Sequence, residues 1–557
     1  MRLHEALRRD RYRGHVRILL VSTYELGHQP LHVASPAGAL ARAGHQVRCL
    51  DLSVEPFDVE AVRWADAVAC SVPMHTACRL ALAACTQIRS LDPHIPLCLY
   101  GLYARLAVAA ATEPTVDLAV AGEYEPRLLR WVDELEGRSP GTLAREGSRR
   151  PGESHLSGES DDRPRAVVEL GRGRFGLPAR HLLPPLDRYA RLATSEELLL
   201  AGYVEASHGC AHRCRHCPVP VVYDGRTRLV EIDAVLADVA QLVEMGARHV
   251  TFGDPDFLSG PHHALRVVSA MHDTFGDLTF DVTAKVEHVL EQRDLWSRFA
   301  AAGCLFVVSA FESTNDAILG HLAKGHTAAQ EVEAVTLLRS AGIEPRPSFL
   351  PFTPWTTAQD VFDLLDLVAA CDLVGDVDPV QYSIRLLVPP GSLLLSSGAL
   401  DGLLGPYDAD HLSWTWRSAD PRLDLLAQKL GHLAERADAE SWSATQAYEA
   451  VRTAAVHALG RITPKRPPKS KPWLSSSIPQ DERPHLTEAW FCCAEPTEAQ
   501  LGATSLLPAR ARADGTSLAD ATARAADRSL ADGTPLADRV SLADRVSHTS
   551  PLGVPIP

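Results

Sequence analysis

Apolar runs four to six residues long recur through the first 120 residues, separated by amphipathic stretches. Residues 16–21 read as a buried parallel strand, 36–43 as a helix ending at Gly44, and 47–52 as the next strand. Residues 67–71, 96–100 and 118–121 continue as strands, with an amphipathic helix over 76–90. Their alternation predicts an α/β, Rossmann-like doubly wound sheet of ordinary domain size over 1–136.

The pattern lapses over 137–165, where Gly, Ser, Arg, Glu and Asp dominate without apolar period, so this stretch reads as a flexible linker. It resumes as strand–loop–helix over 166–435. Strands are expected at 203–207, 249–252, 279–283, 305–310, 345–350 and 380–387, with helices including 231–245, 327–341 and 358–370. Six parallel strands alternating with helices make a partial (β/α)6 barrel, a class that carries chemistry at the carboxyl ends of its strands. A helix at 441–459 and a basic, proline-rich break at 464–472 lead into a C-terminal segment ending near 500. Residues 501–557 repeat Ser-Leu-Ala-Asp irregularly with Gly and Pro between, and read as disordered.

Composition narrows the class. A net charge of −15 argues against nucleic-acid binding as the main task. No stretch approaches 18 consecutive apolar residues and no secretory leader is visible, so a membrane span is not expected and a reducing cytoplasm is. Twelve cysteines in 557 residues are no disulfide framework, and Cys49, Cys70, Cys78, Cys85, Cys98, Cys304 and Cys371 fall in apolar patterns as core residues.

Three thiols break that rule. Cys210, Cys214 and Cys217 gather in a CxxxCxxC loop with His208, His212 and His216 beside them. Such a loop can wrap one corner of a cubane and leave the fourth iron open to substrate. A Cys3His zinc site is the bland alternative.

The spacing is that of the radical S-adenosylmethionine (SAM) enzymes, and the resemblance covers roughly 195–400. It implies that the three thiolates hold a [4Fe–4S] cluster whose free iron chelates SAM, and that reductive cleavage of SAM gives a 5′-deoxyadenosyl radical. Gly253 and Asp254, after the second barrel strand, resemble the group that holds the SAM ammonium. Lys285, after the third, matches a position that could meet its carboxylate. Glu312 and Ser313, with Leu319 and Lys324-Gly325, are similar to the family's "ES…vL…l.KG" segment, in which the glutamate contacts SAM. For each, a capping or turn role is the alternative. The family further implies an electron donor, a reductase or flavodoxin/ferredoxin.

The first domain lacks a GxGxxG fingerprint, so a dinucleotide is not indicated. It resembles the cobalamin-binding domain that precedes the radical domain in one large branch of the family, and Gly122-Glu123 is similar to a turn common there. The DxHxxG signature that supplies a histidine to cobalt is missing, and His28 stands near its place in different surroundings. Cobalamin and a bare recognition sheet both remain open.

Near the end, Cys492 and Cys493 precede Ala-Glu-Pro. This resembles the radical SAM proteins with a CUAEP or CCAEP tail, some of which carry selenocysteine at the position matching Cys493. Adjacent thiols suit redox exchange, metal ligation or hydrogen-atom relay, and the tail is expected to fold back to the barrel mouth. The reading is therefore a radical SAM enzyme acting on an unknown small-molecule or peptide substrate, with Cys492 and Cys493 as redox candidates. The competitors are a cobalamin-dependent methyltransferase and a noncatalytic iron–sulfur or zinc scaffold.

Overall fold

The computed structural model describes residues 15–110, 116–136, 165–171, 173–460 and 475–488. The first sheet is parallel throughout. It contains β1 (Arg17–Ser22), β2 (Gln46–Asp51), β3 (Ala67–Ser71), β4 (Leu97–Tyr100), β5 (Leu118–Gly122) and β6 (Arg165–Glu169), in the order β2-β1-β3-β4-β5-β6. Strands β3, β4 and β5 are buried along their whole length, as in a sheet covered by helices on both faces. The chain reverses direction across the sheet between β1 and β3, and in such folds ligands bind outside the carboxyl ends at that switch point.

The expected helix at 36–43 begins earlier, at Leu31, and Pro36 lies inside it. Proline favours a first turn, which draws the sequence reading to residue 36. The buried residues Leu31, Val33, Ala34, Ala37 and Leu40 show that the helical face starts one turn sooner.

The second sheet curls into a partial barrel. It holds β7 (Arg191–Ala193), β8 (Leu198–Val204), β11 (His249–Phe252), β12 (Thr279–Thr283), β13 (Cys304–Glu312), β14 (Glu344–Phe349) and β17 (His485–Leu486). The order is β14-β13-β12-β11-β8-β7-β17, with β8 and β11 to β14 parallel and the last two strands antiparallel. A short hairpin, β9 (Ser207–Gly209) with β10 (Thr227–Leu229), brackets the cysteine loop, and a second, β15 (Leu404–Asp408) with β16 (Ser413–Trp416), lies beyond the barrel.

The strand expected at 380–387 is not a strand. Pro379–Tyr382 forms a 3-10 turn, and beyond it only an isolated bridge joins Arg385 to Phe352. Its apolar residues Val380, Tyr382, Ile384 and Leu386 are buried in the core with Leu423 and Leu426 of the helix Pro421–Ala439, so burial without strand pairing explains the pattern. The C-terminal helix is Ala444–Leu459, started by a capping box at Ser443.

Arg180 joins the two domains. Fully buried, it donates twice to Asp238 at 2.8–2.9 Å, to the Tyr203 carbonyl at 2.6 Å, and to the carbonyl and side chain of Gln29 at 3.3 and 3.4 Å.

Candidate active site

Gly209 turns the chain out of β9 at φ +75°, and a Cβ there would lie 2.3 Å from the Arg226 carbonyl, so only glycine closes the hairpin. Cys210, Cys214 and Cys217 follow as partly exposed thiols outside any disulfide. The Cys217 amide donates to the Cys214 carbonyl at 3.2 Å, Arg215 N donates to Leu322 O at 2.9 Å, and Ser392 Oγ donates to the Arg215 carbonyl at 3.2 Å. The loop is thus tied to the barrel from two sides. Burial, then Asp256, pushes the Cys210 thiol up to about 11. Iron would reverse this, because coordination deprotonates a thiol outright.

The three loop histidines are engaged elsewhere. His208 meets Glu123 at 3.1 Å and Glu205 at 3.2 Å; His212 lies 3.1 Å from Lys285 Nζ and 3.2 Å from His288; His216 lies 3.1 Å from Glu312. A donor set of three thiols in one anchored loop, with the neighbouring histidines engaged elsewhere, fits a cluster with an open fourth iron better than a closed tetrahedral zinc site.

Around this loop the strand ends gather acids and bases. Gly253 and Asp254 turn back into the fold. A Cβ on Gly253 would sit 1.9 Å from the Tyr203 ring, so this glycine admits that ring. Asp254 accepts from Ala206 N at 2.9 Å and Ser207 Oγ at 2.5 Å, tying β9 to the end of β11, and burial pushes its carboxyl up to about 7 against those bonds. Two residues on, Asp256 faces the cysteines: Ser259 Oγ lies 3.0 Å from it and 4.0 Å from Cys210 Sγ. Sequence reasoning assigned no role to Asp256, which stands just beyond an expected strand end, or to His288, which lies in the helix Val286–Glu291 after the next strand.

Lys285 is buried, with Nζ 2.7 Å from Glu287, and its amide donates to Asp256 at 3.2 Å. Glu312 sits in the left-handed region at φ +68°, at an irregular step in the β13–β14 register, and such strain concentrates at functional sites. Burial opposes its charge, but Lys324 at 3.2 Å and His216 hold it down to about 2. Lys324 is buried too; that opposes its charge, and Glu312, Cys214 and Cys217 restore it. Ser313 follows in a tight turn, its amide donating to Phe311 O at 2.9 Å and its hydroxyl accepting from Asn315 N at 3.2 Å. Cys492 and Cys493 lie outside the described residues, as do residues 137–164 of the expected 137–165 linker and the expected tail at 501–557; Arg165 instead opens β6, so the first sheet takes in 165–169 beyond its expected end at 136.

The carboxyl ends of the two sheets meet. Glu123, just after β5, accepts from Tyr223 OH at 3.2 Å and Arg228 at 3.0 Å as well as holding His208. Glu205, just after β8, accepts from Tyr203 OH at 3.0 Å and lies 3.4 Å from His32 of the first domain. At the β1/β3 switch point Glu25 is buried, with Ser71 Oγ at 3.3 Å and His32 N at 3.4 Å. Burial pushes its carboxyl up to about 7 against His32. Beside this contact opens a small cleft lined by Leu31, Tyr124, Phe175, Glu205 and His208 among others.

Residues 204–368 match the family model of the radical SAM superfamily, and residues 17–130 match that of the B12 binding domain. The chain thus carries a radical SAM domain and a B12-binding domain. A radical SAM domain implies a [4Fe–4S] cluster and SAM, which the thiol loop and the polar strand ends fit. An uncharacterized methyltransferase of Pyrococcus horikoshii is 23% identical over 317 residues, 56% of this chain and 63% of that one. A tRNA-2-methylthio-N(6)-dimethylallyladenosine synthase of Haemophilus influenzae is 25% identical over 199 residues, 33% of this chain and 41% of that one. The chain thus spans less than two thirds of these relatives' length. In fold, the chain resembles the cobalamin-dependent radical enzyme OxsB, solved with aqua-cobalamin and SAM bound. The TM-score is 0.58 at 13% identity, covering 80% of this chain and 72% of that one.

For cobalamin, the polar carboxyl edge at the switch point fits in position. The donor set does not fit a histidine-ligated cobalt: His28 is buried with its ring 4.9 Å from Tyr203, and burial pushes it down to about 4, while His32 is held by Tyr124 OH at 2.9 Å and by Glu205. Among the described residues no helix is long and apolar enough to cross a membrane.

Proposed function

We propose that this protein is a cobalamin-dependent radical SAM methyltransferase acting on a small-molecule or peptide substrate in a reducing cytoplasm, fed electrons by a reductase, flavodoxin or ferredoxin. The observation that carries the reading is the meeting of two carboxyl edges: Glu123 and His32 of the B12-binding domain lie within 3.4 Å of His208 and Glu205 beside the cluster loop. A ligand held by the first edge therefore borders whatever the second edge holds. The cluster and SAM supply one-electron cleavage of SAM, and cobalamin supplies a methyl carrier. Cys210, Cys214 and Cys217 would hold the cluster. Lys285 and Glu312 supply the buried charges that can orient an amino acid moiety, with Gly253 and Ser313 shaping the strand ends that carry them and Asp254 fixing the hairpin behind.

A second reading, membership of the CCAEP-tail group with Cys492 and Cys493 in redox exchange, is favoured by the course of the preceding segment. Arg483 is buried against Asp372 and Asp376, β17 pairs with β7, and Glu488 accepts from Tyr24 OH at 3.0 Å beside the B12-binding edge. Cys492 follows four residues later, a reach of at most about 14 Å.

The test is anaerobic reconstitution with iron, sulfide and hydroxocobalamin, followed by SAM carrying a labelled methyl group, a strong reductant and a candidate substrate pool. Expected are 5′-deoxyadenosine, lost in Cys214→Ala, and S-adenosylhomocysteine from charging of the cobalamin, with label in a product that Cys214→Ala does not form. Cobalamin that fails to co-purify or bind, with 5′-deoxyadenosine still formed, would reject the methyltransferase and leave the thiol reading. Neither nucleoside product from a fully loaded cluster would reject both.

A further inference from the structure

Beside the cluster thiols stands a second group of ligand-type side chains. His212, Asp256 and His288 come from the cysteine loop, the exit of β11 and the helix Val286–Glu291, and one ligand atom of each falls within 4.8 Å of the others. The two imidazoles face each other through Nε2, 3.2 Å apart, and Asp256 Oδ2 lies 3.6 Å from His212 Nε2. Two ligands bonded at 2.0–2.1 Å to one tetrahedral ion stand about 3.3 Å apart, so the facing nitrogens already have the spacing of an ion's coordination edge. Asp256 and His288 are mostly shielded from solvent, which keeps competing water low.

The supporting groups fit as well. His288 Nδ1 lies 2.6 Å from Asp256 Oδ2, an ion-pair contact that holds the ring beside the carboxylate with Nε2 turned to His212. Glu287 Oε2 lies 3.7 Å from His212 Nδ1, beyond hydrogen-bond range, and adds negative charge beside that ring. Lys285 Nζ, 3.1 Å from the same Nδ1, carries a positive charge, and Glu287 at 2.7 Å neutralises it. Two imidazoles and one carboxylate with positions left open suit a borderline divalent ion, zinc or ferrous iron, more than magnesium or calcium.

We propose that His212, His288 and Asp256 form a mononuclear divalent transition-metal site, separate from the cluster and adjoining Cys210 through Ser259. The site does not depend on the methyltransferase reading, because its ligands are none of the three cluster thiols. The experiment uses the full-length chain with Cys210, Cys214 and Cys217 all changed to Ser, stripped of iron and titrated with Co(II) alone. Expected are one equivalent of cobalt retained after dialysis and visible d–d bands of a nitrogen/oxygen-ligated ion, without thiolate charge transfer. His288→Gln in that background should weaken binding at least about tenfold, and Asp256→Asn should do so independently, with circular dichroism unchanged. No retained cobalt, retention with thiolate charge-transfer bands, or retention unaltered by both variants would overturn the site.

Discussion

Glu25 offers a sharp test of how the B12-binding edge is built. Its carboxyl is buried at the switch point, near Asp51 and Glu205, with His32 as the counter-charge acting on it. Folding raises it from 4.5 to about 7, so the folded state holds its proton more tightly than the unfolded chain does. The sign follows directly. Below about pH 4.5 both states are protonated and Glu25 is neutral in effect; above 7 the folded protein carries a buried carboxylate that the unfolded chain solvates freely. At 1.36 kcal/mol per pH unit the full penalty is about 3 kcal/mol, of which about 2.5 kcal/mol develops between pH 5 and 8.5. Glu25→Gln keeps the shape and removes the titration. One amide group then faces the His32 N–H or Ser71 hydroxyl that the carboxylate accepted from, which costs up to ~1 kcal/mol at any pH. Urea unfolding of wild type and variant at pH 5 and 8.5 should show the variant equal or slightly weaker in acid and more stable in base. The difference between the two proteins should grow by about 2.5 kcal/mol across that window. Asp254 and Asp376 also lie at about 7, but they titrate in both proteins and cancel. Parallel stability curves would refute the reasoning, since they would mean that Glu25 ionises no differently when folded.

Gly253→Ala places a methyl 1.9 Å from the Tyr203 ring and should cost about 3 kcal/mol in urea unfolding, with part recovered by Tyr203→Leu. Arg180→Met leaves Asp238 buried without its partner and should cost about 3–5 kcal/mol, whereas Arg180→Met with Asp238→Leu should return most of that loss. Equal losses in the single and double variants would show that the pair is not what holds that junction.

The cysteine loop was legible because its ligands are neighbours in the chain, where spacing alone constrains geometry. The first sheet was legible for a similar reason, its strands being continuous apolar runs. The acids at the barrel mouth were less so. Asp254 and Asp256 are two residues apart at the exit of β11, and the path of the turn after Phe252 sends one back onto Ser207 and the other toward Cys210. Nothing in the local pattern distinguishes them. The contact between sheet edges was also hidden, since Glu123 and His208 are 85 residues apart and meet only when both domains are folded. Residues 380–387 misled because burial writes the same apolar signature whether or not the backbone finds a ladder.

The pairing of β17 with β7 has a consequence for how the chain comes into being. Arg191 N donates to Thr487 Oγ1 across 296 residues of sequence, beside the two-residue ladder that completes the barrel sheet. At a synthesis rate of 5–20 residues per second, roughly 15 to 60 seconds separate the emergence of the two partners from the ribosome. Through that interval β7 presents an open strand edge, the feature through which nascent chains pair with one another. Its shortness, three residues bearing Arg191, keeps that exposed template small until the far segment arrives.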